Sequence, residues 1–195
     1  MILAVDTSGA TGVAVVGDDG SVVAERVSDD PRGHAETIGP LLAEVLAAAA
    51  GRIDAVAYGV GPGPFTGLRV GMAAARAAAL ALGVPELPVL SHDAIALAAI
   101  EDGAPGRFAV VTDAKRREHH VTVYSGADAS GLPVRAEQPA VVGEPPALPQ
   151  AGGPVRPALV GRVAALRRRA GLPADPPEAR YLRSPDVTLS SARRP

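Results

Sequence analysis

The chain has 195 residues, enough for one large domain or two small lobes with cores of their own. A hydrophobic content of 47% excludes a disordered segment, zero cysteines exclude a disulfide framework or a thiolate site, and a net charge of -2 argues against a strong nucleic-acid binder acting alone. Aromatic residues make up 3%, so Ala, Val and Leu must build a closely packed core.

Residues 2–6, 12–16 and 21–27 read as three short strands, the first apolar enough to be buried on both faces. Gly17-Asp18-Asp19-Gly20 is a hairpin turn between the second and third. The N-terminal Met1-Ile-Leu-Ala-Val-Asp6 lacks the basic flank of a leader peptide and reads as a strand. An amphipathic helix is expected next, capped by Asp30 with Pro31 in its first turn, kinked by Gly39-Pro40 and ended by Gly51. Its apolar positions are Ile38, Leu41, Leu42, Val45, Leu46 and Ala49.

A strand over 53–60 leads into GVGPGPFTGLRVGM at 59–72, then a helix over 66–82, a strand over 87–90 and a helix from Ser91 or His92. Alternation of strand and helix predicts crossover connections and a mixed sheet covered by helices. The apolar run 72–84 contains Arg76 and falls short of the ~20 residues a bilayer span needs, so a cytosolic chain with no membrane partner is expected. Asp102-Gly-Ala-Pro-Gly106 marks a boundary, giving lobes at 1–102 and 103–195. Strands at 108–113 and 119–124 flank a charged turn, 126–157 is rich in Pro and Gly, a helix is expected over 159–170, and 179–183 is expected as a strand or an extended clasp.

The glycine-rich stretch suggests a phosphate loop, but it matches neither phosphate pattern. From Gly61 the Walker pattern puts Thr66 where the second glycine belongs and Leu68 follows Gly67; the dinucleotide fingerprint fails at Pro64 or Thr66. What the spacing does show is Gly67, Gly71, Ala75, Ala79 and Gly83 recurring every four residues, one ridge of small side chains that lets another backbone approach. That ridge packs either on its own sheet or on a partner helix. Arg69 and Arg76, seven apart, share another face.

ILAVDTSGATGVAVV at 2–16, GHAETIGPLL at 33–42, GVGPGPFTGLRVGMAAARAAALALGVP at 59–85, DAKRRE at 113–118 and YLRSPDVT at 181–188 together resemble the TsaB (YeaZ) family. The resemblance implies an α/β chain of the actin/Hsp70-like ATPase fold, with two ribonuclease-H-like lobes, the second small or degenerate. It implies a non-catalytic scaffold subunit that pairs with a TsaD-like threonylcarbamoyltransferase and is joined by a TsaE-like ATPase. It reaches tRNA through that complex, which uses ATP and Mg, and the chain binds no cofactor alone. The family pairs through the first two helices, which puts the partner interface at His34, Glu36, Ile38, Leu41, Leu42 and Val45 on one and at Phe65, Gly67, Leu68, Arg69, Gly71, Met72, Ala75 and Ala79 on the other. An exposed apolar helix pair also predicts a homodimer when the chain is isolated.

The same resemblance implies a vestigial nucleotide cleft at Asp6, Thr7, Ser8, Gly61, Gly63 and Asp113, where two carboxylates at strand ends could face one hydrated cation. By their sequence alone, Asp6 and Asp113 serve equally well as turn anchors. An actin-like ATPase or phosphotransferase acting alone is one alternative, although Ala114-Lys115-Arg116-Arg117 is poor material for a second phosphate loop. An M22-type metallopeptidase is another. TsaD-like proteins ligate metal through H-x-x-x-H, and here His92 is followed by Ala96, so no metal site is expected. Where the family carries a glycine after D-A-R-R, this chain has Arg117.

Overall fold

A computed structural model describes residues 1–28, 30, 33–49 and 52–182. The elements in chain order are β1 Ile2–Asp6, β2 Thr11–Val16, β3 Val22–Ser28, α1 His34–Ala48, β4 Ala55–Gly59, α2 Phe65–Leu82, β5 Glu86–Val89 and α3 Ser91–Glu101. After them come β6 Phe108–Asp113, β7 His119–Ala127, β8 Pro133–Arg135, β9 Ala140–Val142, β10 Gln150–Ala151 and α4 Pro157–Arg169.

The first sheet has the order β3-β2-β1-β4-β5, antiparallel through β3, β2 and β1 and parallel through β1, β4 and β5. This is the ribonuclease-H-like arrangement, a meander followed by helical crossovers. Alternation along β1 divides its side chains between two cores. Leu3 and Val5 meet Ile38 and Val45 of α1 and Met72, Ala75 and Ala79 of α2 on one face. Ile2 and Ala4 meet Ala94 and Leu97 of α3 and Val160, Val163 and Ala164 of α4 on the other. Helices on both faces explain why β1 is apolar from Ile2 to Val5.

The second sheet runs β10-β6-β7-β8, with β9 also paired to β7. No helix forms between β7 and β10, a span described throughout; its prolines and glycines break helical periodicity, and three strands of two or three residues replace it. α4 returns from this half of the chain to the first sheet, so a division at residue 102 separates the sheets but not their helices.

The first helix begins at His34 with Gly33 at its N-cap, not at a turn capped by Asp30. Pro31 and Gly51, expected at its ends, lie outside the described residues. α2 is long and apolar enough by length and composition to cross a membrane, longer than the apolar run suggested, but it lays one face on β1 and β4 and carries Arg69 and Arg76 on the other.

Candidate functional site

GVGPGPF is a tight crossing point between β4 and α2, stitched to its neighbours by hydrogen bonds. Gly61, at φ +94°, donates its N–H to Ser91 Oγ at 3.1 Å, and Ser91 N–H returns a bond to the Gly61 carbonyl at 2.7 Å. Ser91 Oγ then donates to Asp6 Oδ2 at 2.7 Å, while Asp6 Oδ1 accepts from the backbone N–H and hydroxyl of Ser8 at 2.8 and 2.6 Å. Asp6 is buried, and burial raises its carboxyl above the usual range against the pull of the Ser8 and Ser91 bonds. Asp6 therefore anchors the end of β1 to the start of α3. Thr7 is spent in the same way, its hydroxyl donating to the Gly67 carbonyl at 2.7 Å.

That bond fixes the direction of the small-residue ridge. A Cβ at Gly67 would lie 2.7 Å from the Thr7 carbonyl, and one at Gly71 would collide with Thr7 Oγ1 and lie 2.9 Å from its Cγ2. Gly67, Leu68, Gly71, Met72, Ala75 and Ala79 are all buried within the chain. The ridge packs on its own sheet through Gly67 and Gly71, with the Met72 side chain at the edge of the same face. His34, Ile38 and Val45 of α1 are buried within the chain too, His34 against the Thr11 hydroxyl at 2.7 Å. Leu41 and Leu42 are partly buried against the same core.

What α1 and α2 present to solvent overlaps the expected interface only in part. Glu36, Ala43 and Leu46 lie outward on α1; Thr66, Arg69, Ala73, Ala77 and Leu80 lie outward on α2, with Leu80 85% exposed. Of the residues expected at an interface, Glu36 and Arg69 lie outward and Phe65 is half-buried, the last two joined by a residue far along the chain. The Phe65 and Tyr181 rings are 4.7 Å apart, and the Arg69 guanidinium sits 3.7 Å above Phe65 and donates to the Tyr181 hydroxyl at 3.1 Å. Residues 175–181 pass from β5 to the flank of α2, bending at Pro177 and Glu178: Asp175 N–H donates to the Pro88 carbonyl at 3.0 Å, Arg180 N–H to the Val60 carbonyl at 2.7 Å and Arg76 to the Pro177 carbonyl at 2.6 Å. The strand or extended clasp expected over 179–183 is instead a turned segment as far as Leu182, with Tyr181 N–H bonding the Ala179 carbonyl at 2.9 Å, and Arg183 lies outside the described residues.

Between the two sheets lies a cavity of about 340 Å³ lined by Ser8, His92, Thr112, Asp113, Lys115 and His120 among others. Ser8 and Asp113 of the expected cleft reach it, whereas Asp6, Thr7, Gly61 and Gly63 do not line it. Asp113 is exposed, accepting from Lys115 N–H at 2.7 Å and Nζ at 2.8 Å, and those bonds lower its carboxyl. His92 bridges the lobes, one ring nitrogen 2.8 Å from the Thr122 hydroxyl and the other 2.9 Å from that of Thr112. Burial, assisted by the nearby His120, pushes its imidazole down to about 3, so it is neutral at physiological pH. Among the described residues no group of three or more His, Cys, Asp or Glu is placed to hold a metal.

One constellation gave no sequence signal. Buried Asp93 of α3 is bonded by Arg135 of β8, by Arg167 of α4 at 2.8 Å and by the Tyr124 hydroxyl at 2.7 Å. Asp175 bonds the same two arginines, Arg135 at 2.8 Å and Arg167 at 2.5 Å. These four charges close on one another where the lobes meet, at separations along the chain that no local pattern records.

Comparisons with known proteins place the chain in a family. A family model described as TsaD, tRNA N6-adenosine threonylcarbamoyltransferase, matches residues 20–176. A solved structure described as YeaZ from Pseudomonas aeruginosa superposes with a TM-score of 0.73 at 27% identity, covering 89% of this chain and 98% of that one. The chain belongs to the TsaD-related family, in its TsaB/YeaZ branch. An Escherichia coli protein named tRNA threonylcarbamoyladenosine biosynthesis protein TsaB is 32% identical over 63% of this chain and 54% of its own length. An uncharacterized Mycobacterium tuberculosis protein is 42% identical over 95% of this chain and 93% of its own. As in its YeaZ relative, the mixed α/β architecture with two sheets is that of the actin/Hsp70-like fold.

Proposed function

We propose that this chain is a non-catalytic subunit of the assembly that forms threonylcarbamoyladenosine on tRNA, and that it holds a TsaD-like subunit through the outward faces of α1 and α2. The observation that carries the reading is the engagement of Asp6. In an actin-like ATPase the acid at this strand end faces the nucleotide and its cation; here it is buried and accepts three hydrogen bonds from Ser8 and Ser91. The bare outward face of α2, with Leu80 85% exposed beside Ala73 and Ala77, supports docking there. A TsaE-like ATPase and tRNA join through the complex, which uses ATP and Mg, in the cytoplasm. The same face accounts for a homodimer when the chain is alone.

Reconstitution with a TsaD-like and a TsaE-like subunit tests the non-catalytic role. Asp113→Ala removes an exposed carboxylate at the cavity and should leave modification within about twofold of the parent; a loss of catalysis of the size general acid–base groups contribute, ~100-fold, would refute it. The cavity of about 340 Å³ favours one second reading, a nucleotide held by this chain alone. Calorimetry with Mg-ATP separates the two: saturable binding by the isolated chain, weakened by Asp113→Ala, would establish the second.

A further inference from the structure

Arg69 lies on the outer flank of α2 and has no carboxylate partner among the described residues. Its neighbour in register, Arg76, is satisfied within the chain by the Tyr58 hydroxyl at 3.3 Å, the Pro177 carbonyl and Glu86 at 3.4 Å. Arg69 instead rests on the Phe65 ring and donates Nε to the Tyr181 hydroxyl. A guanidinium presents five donors in a planar fork that matches a carboxylate, and stacking on an aromatic face holds that fork in one orientation. An arginine set between partly exposed aromatic rings is also the composition that dominates protein interfaces.

The surroundings form a groove. Its floor is Met72 and Ala73 of α2 and its far wall is the strap 177–181, with Ala179 and Tyr181 facing the helix. The strap is fixed at its other end by Asp175, which sits in the ion cluster between the lobes and accepts the Leu90 N–H at 2.8 Å. That tie joins the strap to the lobe seam at one end and, through Tyr181 and Arg69, to α2 at the other.

We infer that Arg69, oriented by Phe65 and Tyr181, anchors the partner surface and receives a carboxylate from the TsaD-like subunit, with the strap as one wall of that surface. This rests on the partner reading above and adds to it the chemistry the partner must present: an acidic side chain beside an apolar one. Tyr181 is a positioning residue that acts through Arg69.

The test is the Kd between the full chain and the TsaD-like subunit of the same organism, read by calorimetry at low and high salt. Arg69→Glu should weaken binding about thirtyfold or more, since it sets two carboxylates against each other. Arg69→Lys should weaken it about tenfold because an ammonium neither forks nor stacks. Tyr181→Phe keeps the ring and removes the acceptor, and should flatten the salt dependence with a smaller loss. Arg117→Glu, on the turn between β6 and β7, is the control and should be neutral. Equal affinity of Arg69→Glu and the parent would overturn the inference while leaving the partner reading intact. A parent chain that forms no complex would overturn the partner reading itself, and the inference with it. Removal of residues 183–195 addresses the remaining occupant: tighter binding than the parent, no longer sensitive to Arg69→Glu, would assign the groove to the chain's own tail and overturn the inference.

Discussion

His92, Asp175 and Arg117 are three residues whose surroundings make measurable demands. His92 titrates near the ordinary histidine value when unfolded and at about 3 when folded, so between those values the unfolded chain holds one more proton. Stability should therefore be complete above pH ~6.5 and fall by about 1.4 kcal/mol per unit as the pH drops towards 3. Chemical denaturation of His92→Gln across that window should give a flatter profile. Asp175 has the opposite charge and the same sign of effect: its two arginines hold its carboxyl at about 2 despite burial, so its contribution, about 2 kcal/mol, is present above pH ~4 and lost between 4 and 2. Arg117 stands at φ +63°, in a run of left-handed residues with Lys115 and Arg116. A left-handed residue with a Cβ costs roughly 1–2 kcal/mol and glycine avoids this at an entropic cost of ~0.5–1. Arg117→Gly should accordingly raise thermal stability by about 0.5–1 kcal/mol. That glycine position is visible in the sequence because the family pattern carries it; the buried partners of His92 and Asp175 are not, because they lie on other elements.

At the scale of elements, α2 shows what periodicity can and cannot specify. Small residues every fourth position mark a ridge that approaches another backbone, and the sequence states this plainly. It does not state which backbone. The answer came from Thr7, whose hydroxyl reaches the Gly67 carbonyl and whose side chain fills the space a Cβ at Gly71 would need. Gly71→Ala should thus cost about 1–3 kcal/mol in the isolated chain, read by urea unfolding, through overpacking against β1. The opposite ridge behaves differently. Leu80→Arg replaces a side chain 85% exposed and should leave the unfolding midpoint within the ±0.5 kcal/mol typical of surface positions. The strands and helices were legible because their periods are unambiguous, except between β7 and β10, where prolines and glycines mask strands too short to carry a period.

Across the whole molecule, the order of the first sheet follows from a three-strand meander and two helical crossovers, α1 to β4 and α2 to β5, and the second sheet begins after residue 106. The return of α4 to the first sheet and the strap that continues from it are long-range contacts without a local signature. They matter because they join the lobe seam, through Asp175, to the flank of α2, through Tyr181. The most direct test is size-exclusion chromatography of this chain mixed with the TsaD-like subunit of the same organism. The parent should elute with it as one heterodimeric species, and Leu80→Arg should elute apart from it with its own fold unchanged. A parent that does not co-elute, or a Leu80→Arg variant that co-elutes as the parent does, would contradict docking through this face.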